Sequence, residues 1–286
     1  MSEQPESNQN GSPTVAGIWK TYRLKIAGTF SLLTVERGLG VAVPFVLGVA
    51  INDLIAGSFR GIWWLVGLEL SRLVIGVFRR LYDTRVYARI YTDIADSTAQ
   101  NSLTPVSRRA ARLGLARELV DFFEWELPEL LAAAIGMVGA FGMLLYLLPL
   151  VGAISVTVGL AIGAIFAVSR RRMFGLNKLL NNELERQVTM LEADNAISRR
   201  RHLSRLARWR IHLSDLEAAN FGIAEFLLGA LIIGAVVLTV RAGMSVGEVF
   251  AVLTYLINLA ENLLVLPWTY QQSIRAQEIG GRIASA

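Results

Sequence analysis

Six long apolar runs limit how this chain can fold more than any other feature. A helix needs about 20 apolar residues to cross the bilayer's hydrocarbon core, which is about 30 Å thick. In hydrocarbon the backbone must satisfy its own hydrogen bonds, and a helix does so within each segment. The runs cover residues 28–56, 61–78, 127–148, 150–169, 221–240 and 246–267. With 53% hydrophobic and only 18% charged residues, the chain is predicted to be an all-α polytopic membrane protein with six transmembrane helices.

Basic residues are distributed unevenly among the segments outside these runs. Three Lys and Arg precede the first run, eight lie in residues 79–126, eleven in 170–220 and two follow the last run. The other connections carry only Arg60 and Arg241. Because Lys and Arg concentrate on the cytoplasmic side, both termini and both long connections are predicted to be cytoplasmic. We expect a multi-pass protein in contact with the lipid of a cell membrane, such as a bacterial inner membrane.

The first 17 residues, MSEQPESNQNGSPTVAG, differ from the rest of the chain. They are polar and lack the basic start and apolar core of a cleavable signal. This composition is typical of a disordered tail. Residues 18–283 are predicted to form one six-helix domain.

The two long connections, residues 79–126 and 170–220, have helical periodicity. Apolar or aromatic residues recur at the spacing of one helix face. In the first connection these residues are Val86, Tyr87, Ile90, Tyr91 and Ile94. In the second they are Leu184, Val188, Leu191, Leu203, Leu206 and Leu213. The pattern breaks at QNSLTPVS (100–107) and EADNAIS (192–198), so each connection is predicted to be a long cytoplasmic helical hairpin with a short tip, whose stripes pack together.

Six spanning helices, with long hairpins after the second and the fourth, resemble the transmembrane half of ABC exporters. The segment PFVLGVAINDLIAG (44–57) is similar to the family's first helix and outer loop. The segment from GMSVGEVF to IGGRI (243–283) is similar to its sixth helix. The resemblance extends over residues 17–283 and implies a substrate pathway that works by alternating access. It also implies that two units pair, as a homodimer or with a similar partner, and exchange their fourth and fifth helices.

The resemblance further implies that the hairpin tips are coupling segments that rest on an ATPase. In the first hairpin they are Asn101, Ser102, Leu103, Thr104 and Pro105. In the second they are Asp194, Asn195, Ala196, Ile197 and Ser198. The alternative is that both tips are plain solvent-facing turns.

These 286 residues contain no phosphate-binding loop. Such a loop needs Gly-Lys followed by Ser or Thr, so that backbone amides and the lysine hold the phosphates. The three lysines follow Trp19, Leu24 and Asn177, so no Gly-Lys pair exists. In fused exporters a segment such as SIRAQEIGGRI (273–283) leads into the nucleotide-binding domain. We therefore expect a membrane subunit that is not an enzyme, binds no cofactor itself, and uses ATP through a separate ATPase subunit.

Two other functions fit the same residues. One is a transporter of the same fold that lacks an ATPase and is driven by the proton gradient. The other is a membrane scaffold or regulator that does not transport. Carboxylates essential for transport would favour the first of these, and tolerance of mutations in the central cavity would favour the second.

Charged residues inside the apolar runs are the candidate pathway residues, because an unpaired charge in the membrane is costly and usually marks a path or a pair. They are Glu36, Arg37, Glu69, Arg72, Glu225 and Glu261. Glu69 and Arg72 are three apart on one helix face, so they are expected to neutralise each other. Glu225 lies near the cytoplasmic end of its helix, where water can reach it.

The remaining three charges are predicted to line a central cavity and to contact a polar substrate or carry a proton. Glu36 and Arg37 are adjacent, so they point about 100° apart on a helix and need different partners. Glu261 is expected at a depth where it could meet Arg37. An apolar, Gly-rich pathway with a few charges suits lipids, peptides and drugs alike.

Several other chemistries find no support in the sequence. There is no cysteine, so disulfides and thiolate metal sites are excluded. His202 and His212 are ten residues apart and are expected to point to different sides of a helix, which argues against a shared metal site. The Arg-rich stretch at 199–210 lies where topology already demands positive charge, so nucleic acid is not an expected partner.

Overall fold

The computed structural model describes residues 15–99, 110, 113–114, 117–118, 120–187 and 196–264. We name its helices α1 (Val15–Ile55), α2 (Arg60–Ala99), α3 (Leu127–Leu147, preceded by a π-helical turn, Phe122–Glu126), α4 (Pro149–Glu185), α5 (Ala196–Arg241) and α6 (Val246–Leu264). All six are long and apolar enough to cross a membrane. The all-α, six-span architecture is therefore confirmed. Residues 1–14 of the predicted tail lie outside the described residues, and α1 already begins at Val15.

Short, well-capped turns connect the helices at one end of the bundle. Gly57 and Gly243 end α1 and α5 with positive φ angles of 79° and 67°, a conformation that glycine adopts without strain. At both turns the next residue's N–H returns to a carbonyl of the last helical turn, in Ser58 to Asp53 and in Met244 to Thr239. Between α3 and α4, Leu148 is extended ahead of Pro149. We call this side, with turns at 56–59, 148 and 242–245, the short-loop end.

At the opposite end, the hairpin end, three helices run well beyond the apolar runs. α2 continues to Ala99, α4 continues to Glu185, and α5 begins at Ala196. A 40-residue helix such as α2 is about 60 Å long, roughly twice the thickness of the hydrocarbon core. The long connections are therefore helical extensions of the spanning helices throughout their described parts.

Two separate hydrophobic cores hold the helices together. The membrane core is formed by α3, α4, α5 and α6, with Leu144, Val151, Leu228 and Leu256 among its buried residues. The hairpin core joins the start of α1, the end of α2 and the segment that returns to α3. α1 contributes to both, because its Val41 and Phe45 pack against the membrane core as well, and α3 does so through Leu127 at its start.

The predicted stripe of the first hairpin is confirmed. Val86, Tyr87, Ile90 and Ile94 are buried in the hairpin core, and Tyr91 packs against it. Their partners are Tyr22 and Ile26 from α1 with Val120 and Phe123 from the returning segment. The extension is therefore a packed three-part structure rather than a two-helix hairpin alone.

The predicted stripe of the second hairpin is wrong at Leu184 and Leu203, whereas Leu206 and Leu213 are half-buried. Leu184 and Leu203 are 44% and 54% exposed. The residues immediately before them, Glu183 and His202, are buried between α4 and α5 instead. A one-residue change rotates the buried position by about 100°, and in the observed rotation Nδ1 of His202 is hydrogen-bonded to Oε1 of Glu183 at 2.9 Å. Val188 and Leu191 lie outside the described residues.

Candidate translocation pathway

The first charged site lies between α1 and α2. The Nε atom of Arg79 is 2.5 Å from Oε2 of Glu36, and its Nη1 is 2.8 Å from Oδ2 of Asp83. All three side chains are largely buried. Gly76 leaves the space that Glu36 occupies, since a Cβ there would lie 3.0 Å from Oε1 of Glu36. Glu36 thus has its counter-ion on α2.

Arg37 and Glu261 are arranged differently from Glu36. Arg37 is exposed on another side of α1, as the angular argument predicts, and Glu261 is exposed on α6. Across the described residues neither side chain forms an ion pair, and the expected meeting of the two is not seen. By helix rise they lie about 27 Å and 22 Å from the short-loop ends of α1 and α6, within one bilayer thickness. Arg37 and Glu261 are therefore exposed charged residues at membrane depth, without an ion-pair partner among the described residues.

Glu69 and Arg72 form the internal pair that their spacing predicts. Nη2 of Arg72 is 3.0 Å from Oε2 of Glu69, and both side chains are nearly half exposed. Mutual neutralisation is confirmed for this pair. Glu225 is exposed on α5.

A buried polar cluster between α4 and α5 escaped the sequence analysis. Nδ1 of His202 is 2.9 Å from Oε1 of Glu183, and Nε of Arg205 is 3.3 Å from the same oxygen. His202 is 2% exposed, and its Nε2 has no hydrogen-bond partner among the described residues. His212 lies on the exposed side of α5 with its ring 6.0 Å from that of Trp209, so the two histidines do point apart. The signal in the sequence that could have revealed this cluster is that Glu183 and His202 lie on either side of the same predicted hairpin tip.

Most of the predicted coupling residues cannot be placed. Residues 101–105, Asp194 and Asn195 lie outside the described residues. Ala196, Ile197 and Ser198 are the first residues of α5 and are helical. Among the described residues, no three His, Asp or Glu side chains are grouped as a metal site would require.

The α4–α5 hairpin stands apart from the first two helices. In the described residues α4 and α5 pack on each other, and α4 also packs on α3, but neither contacts α1 or α2. Its exposed faces carry both apolar residues, such as Leu184 and Leu203, and several arginines. This is an open surface on an otherwise packed bundle.

Six helices that can span a membrane, helical extensions at one end and charges exposed at membrane depth define a polytopic helical membrane protein. The family model for the ABC transporter transmembrane region matches residues 15–247, and the chain belongs to that family. The resemblance drawn from the order of the elements is therefore confirmed. No curated protein sequence matches this chain.

Proposed function

We propose that this chain is the membrane-spanning subunit of an ABC-type transporter and lines a substrate pathway that opens alternately to the two sides of the membrane. One observation carries the proposal: Arg37 and Glu261 are both exposed at membrane depth, and neither forms an ion pair with another described residue. A charged residue in contact with lipid costs about 2.5–3.5 kcal/mol at a helix centre and less toward the membrane surface, which Arg37 and Glu261 approach at the hairpin end. Facing a water-filled pathway removes that cost, so this placement supports a polar passage bordered by α1 and α6.

A second six-helix unit completes the pathway in this proposal. The open faces of α4 and α5, and the absence of contact between these helices and α1 or α2 in the described residues, support pairing. Large exposed apolar side chains outside the apolar runs, such as Leu184 and Leu203, are typical of a surface that another chain covers. The partner is a second copy or a similar chain, with the fourth and fifth helices exchanged as in exporters.

The driving force comes from a separate ATPase subunit that docks on the two hairpin tips. These 286 residues hold no phosphate-binding loop, and in this proposal ATP is bound and hydrolysed by that partner. The hairpin end faces the cytoplasm in this arrangement, because it carries most of the Lys and Arg. Labelling of single cysteines in sealed vesicles would check the orientation, since the natural chain has none.

Substrate flux in proteoliposomes tests the proposal. The purified chain is assayed alone, with candidate ATPase subunits and ATP, and with an imposed proton gradient without ATP. We expect flux only with an ATPase and ATP, and we expect alteration of Asn101 to Pro105 to abolish it. Substitution of the exposed Arg117 by Gln is the matched control. Flux from no combination would contradict the proposal and favour a scaffold.

A proton-driven transporter of the same fold is the second candidate, and the unpaired carboxylate of Glu261 favours it. A carboxylate that carries a proton must be able to exist without a fixed counter-ion, and Glu261 meets this condition better than Glu36, which Arg79 holds. Flux driven by the gradient alone and abolished by Glu261→Gln would establish this candidate. If Glu261→Gln left gradient-driven flux unchanged, Glu261 would not be the proton carrier.

A further inference from the structure

A hydrogen-bonded contact joins the last turn of α1 to the first turn of α6 at the short-loop end. Asn52 uses both ends of its side-chain amide. Its Oδ1 accepts a hydrogen bond from the backbone N–H of Gly247 at 2.8 Å. Its Nδ2 donates to Oγ of Ser245 at 2.8 Å. A single α1 side chain thus binds both Ser245, just before α6, and Gly247 in its first turn.

Ser245 and Glu248 hold the other side of this contact in place. Oε2 of Glu248 accepts hydrogen bonds from both the backbone N–H and the hydroxyl of Ser245, at 2.8 and 2.7 Å. This is a variant of the Ser-x-x-Glu capping box, in which side chains satisfy the free N–H groups at a helix start. Because the Gly247 N–H is another of those free groups, Asn52 extends the cap from a different helix.

The backbones of α1 and α6 touch beside this polar contact. A Cβ added to Gly48 or to Gly247 would overlap the carbonyl oxygen of the other glycine. Two glycines provide no side chains that interlock, so the surfaces can separate without repacking. The polar contact of Asn52 therefore supplies the specific attachment at this level.

The contact lies at the short-loop end of the membrane core, far from the hairpin core. α6 belongs to the membrane core together with α3, α4 and α5, whereas α1 is anchored in the hairpin core at its other end. About one bilayer leaflet deeper, the hydroxyl of Tyr255 donates to the carbonyl of Val41 at 2.6 Å. α1 can thus remain attached to α6 at depth while its last turns move away.

We propose that Asn52, Ser245 and Glu248 form a polar latch that holds α1 against α6 and closes the pathway at the short-loop end. The proposal rests on the alternating access described above and identifies where one of the two closures is made. The hydrogen bond of Asn52 to Ser245 is exposed and that to Gly247 is only partly buried, so water can replace both when they break, and the net change per bond is modest. The latch opens when α1 separates from α6, and it forms again when the pathway closes there.

Cysteine labelling provides the test, because the natural chain contains no cysteine. The reporter is Ala251→Cys, since Ala251 is 1% exposed and lies on α6 facing Gly48. In this background Asn52→Ala is compared with Thr254→Val. Thr254 hydrogen-bonds only within α6, to the carbonyl of Phe250 at 2.8 Å, so its loss leaves the latch intact. Val246→Cys, exposed in the closed form, measures the labelling rate without protection.

We expect Asn52→Ala to raise the maleimide labelling rate of the Ala251→Cys reporter roughly fivefold or more, as the loss of two hydrogen bonds implies. Amide hydrogen exchange in peptides covering 244–250 should rise with it. Thr254→Val should change neither. Unchanged labelling and exchange in Asn52→Ala, or an equal increase in Thr254→Val, would overturn the latch. Labelling and hydrogen exchange are both measured without flux. A failure of the transport assay would therefore count against the proposed function and would leave the test of the latch unaffected.

Discussion

Arg79 on α2 and Glu36 on α1 form an ion pair, with Nε of the arginine 2.5 Å from Oε2 of the carboxylate. The same guanidinium also binds Asp83, so one positive charge serves two carboxylates. The three side chains are 11%, 17% and 7% exposed. This cluster joins α1 to α2 where the apolar runs end and the hairpin core begins.

Replacement of Arg79 by Gln should destabilise the protein by about 3–5 kcal/mol, because it leaves two buried carboxylates without a counter-ion. Denaturation in detergent micelles measures the change in the free energy of unfolding. Arg117→Gln is the control, since its pair with Asp121 is 3.9 Å long and more than half exposed, and exposed pairs contribute about 1 kcal/mol or less. Equal effects of the two substitutions would show that the Glu36 cluster does not hold α1 to α2.

The stability of the second hairpin depends on the buried contact of His202 with Glu183, as the packing of α1 on α2 depends on Arg79. His202→Ala removes the hydrogen bond to Glu183, so we expect a loss of about 2–3 kcal/mol from the stability of the α4–α5 extension. Hydrogen exchange of peptides from 180–187 and 200–206 reports this local loss. His212→Ala is the matched control on the exposed side of α5. Unchanged protection in His202→Ala would mean that Arg205 alone satisfies Glu183.

Gly247 should not tolerate even a methyl group. Gly247→Ala places a Cβ against the carbonyl of Gly48, and such overpacking costs about 1–3 kcal/mol. Gly234→Ala in α5 meets no atom within 4 Å and should instead stabilise its helix by up to about 1 kcal/mol. Thermal denaturation of the two variants in the same detergent gives the comparison. A stabilising Gly247→Ala would show that the backbones of α1 and α6 are not in contact.

Arg37 and Glu261 should affect transport without affecting folding. Neither holds a partner in the described residues, so Arg37→Gln and Glu261→Gln should leave the thermal midpoint unchanged. Loss of a charged contact to substrate should lower flux roughly tenfold or more. Flux and denaturation measured on the same preparations separate the two effects. A large fall in the thermal midpoint would assign these residues to packing instead.

Membrane class, six spans and the helical extensions were all predictable from the sequence. Each depends on properties of one segment: an apolar run of sufficient length needs no partner to be recognised, and a stripe such as Val86, Ile90 and Ile94 is periodic in itself. The pair of Glu69 and Arg72 was predictable for the same reason, because both residues lie on one helix.

Pairing between helices was decided only by the tertiary structure. Glu36 could have met any cation at its depth, and only the packing of α1 on α2 brings Arg79 to it. The choice of Glu183 and His202 over Leu184 and Leu203 depends on a rotation of about 100° that hydrophobicity alone does not resolve. Asn52 and Gly247 are 195 residues apart in the chain, and their contact exists only because two glycines allow α1 and α6 to touch.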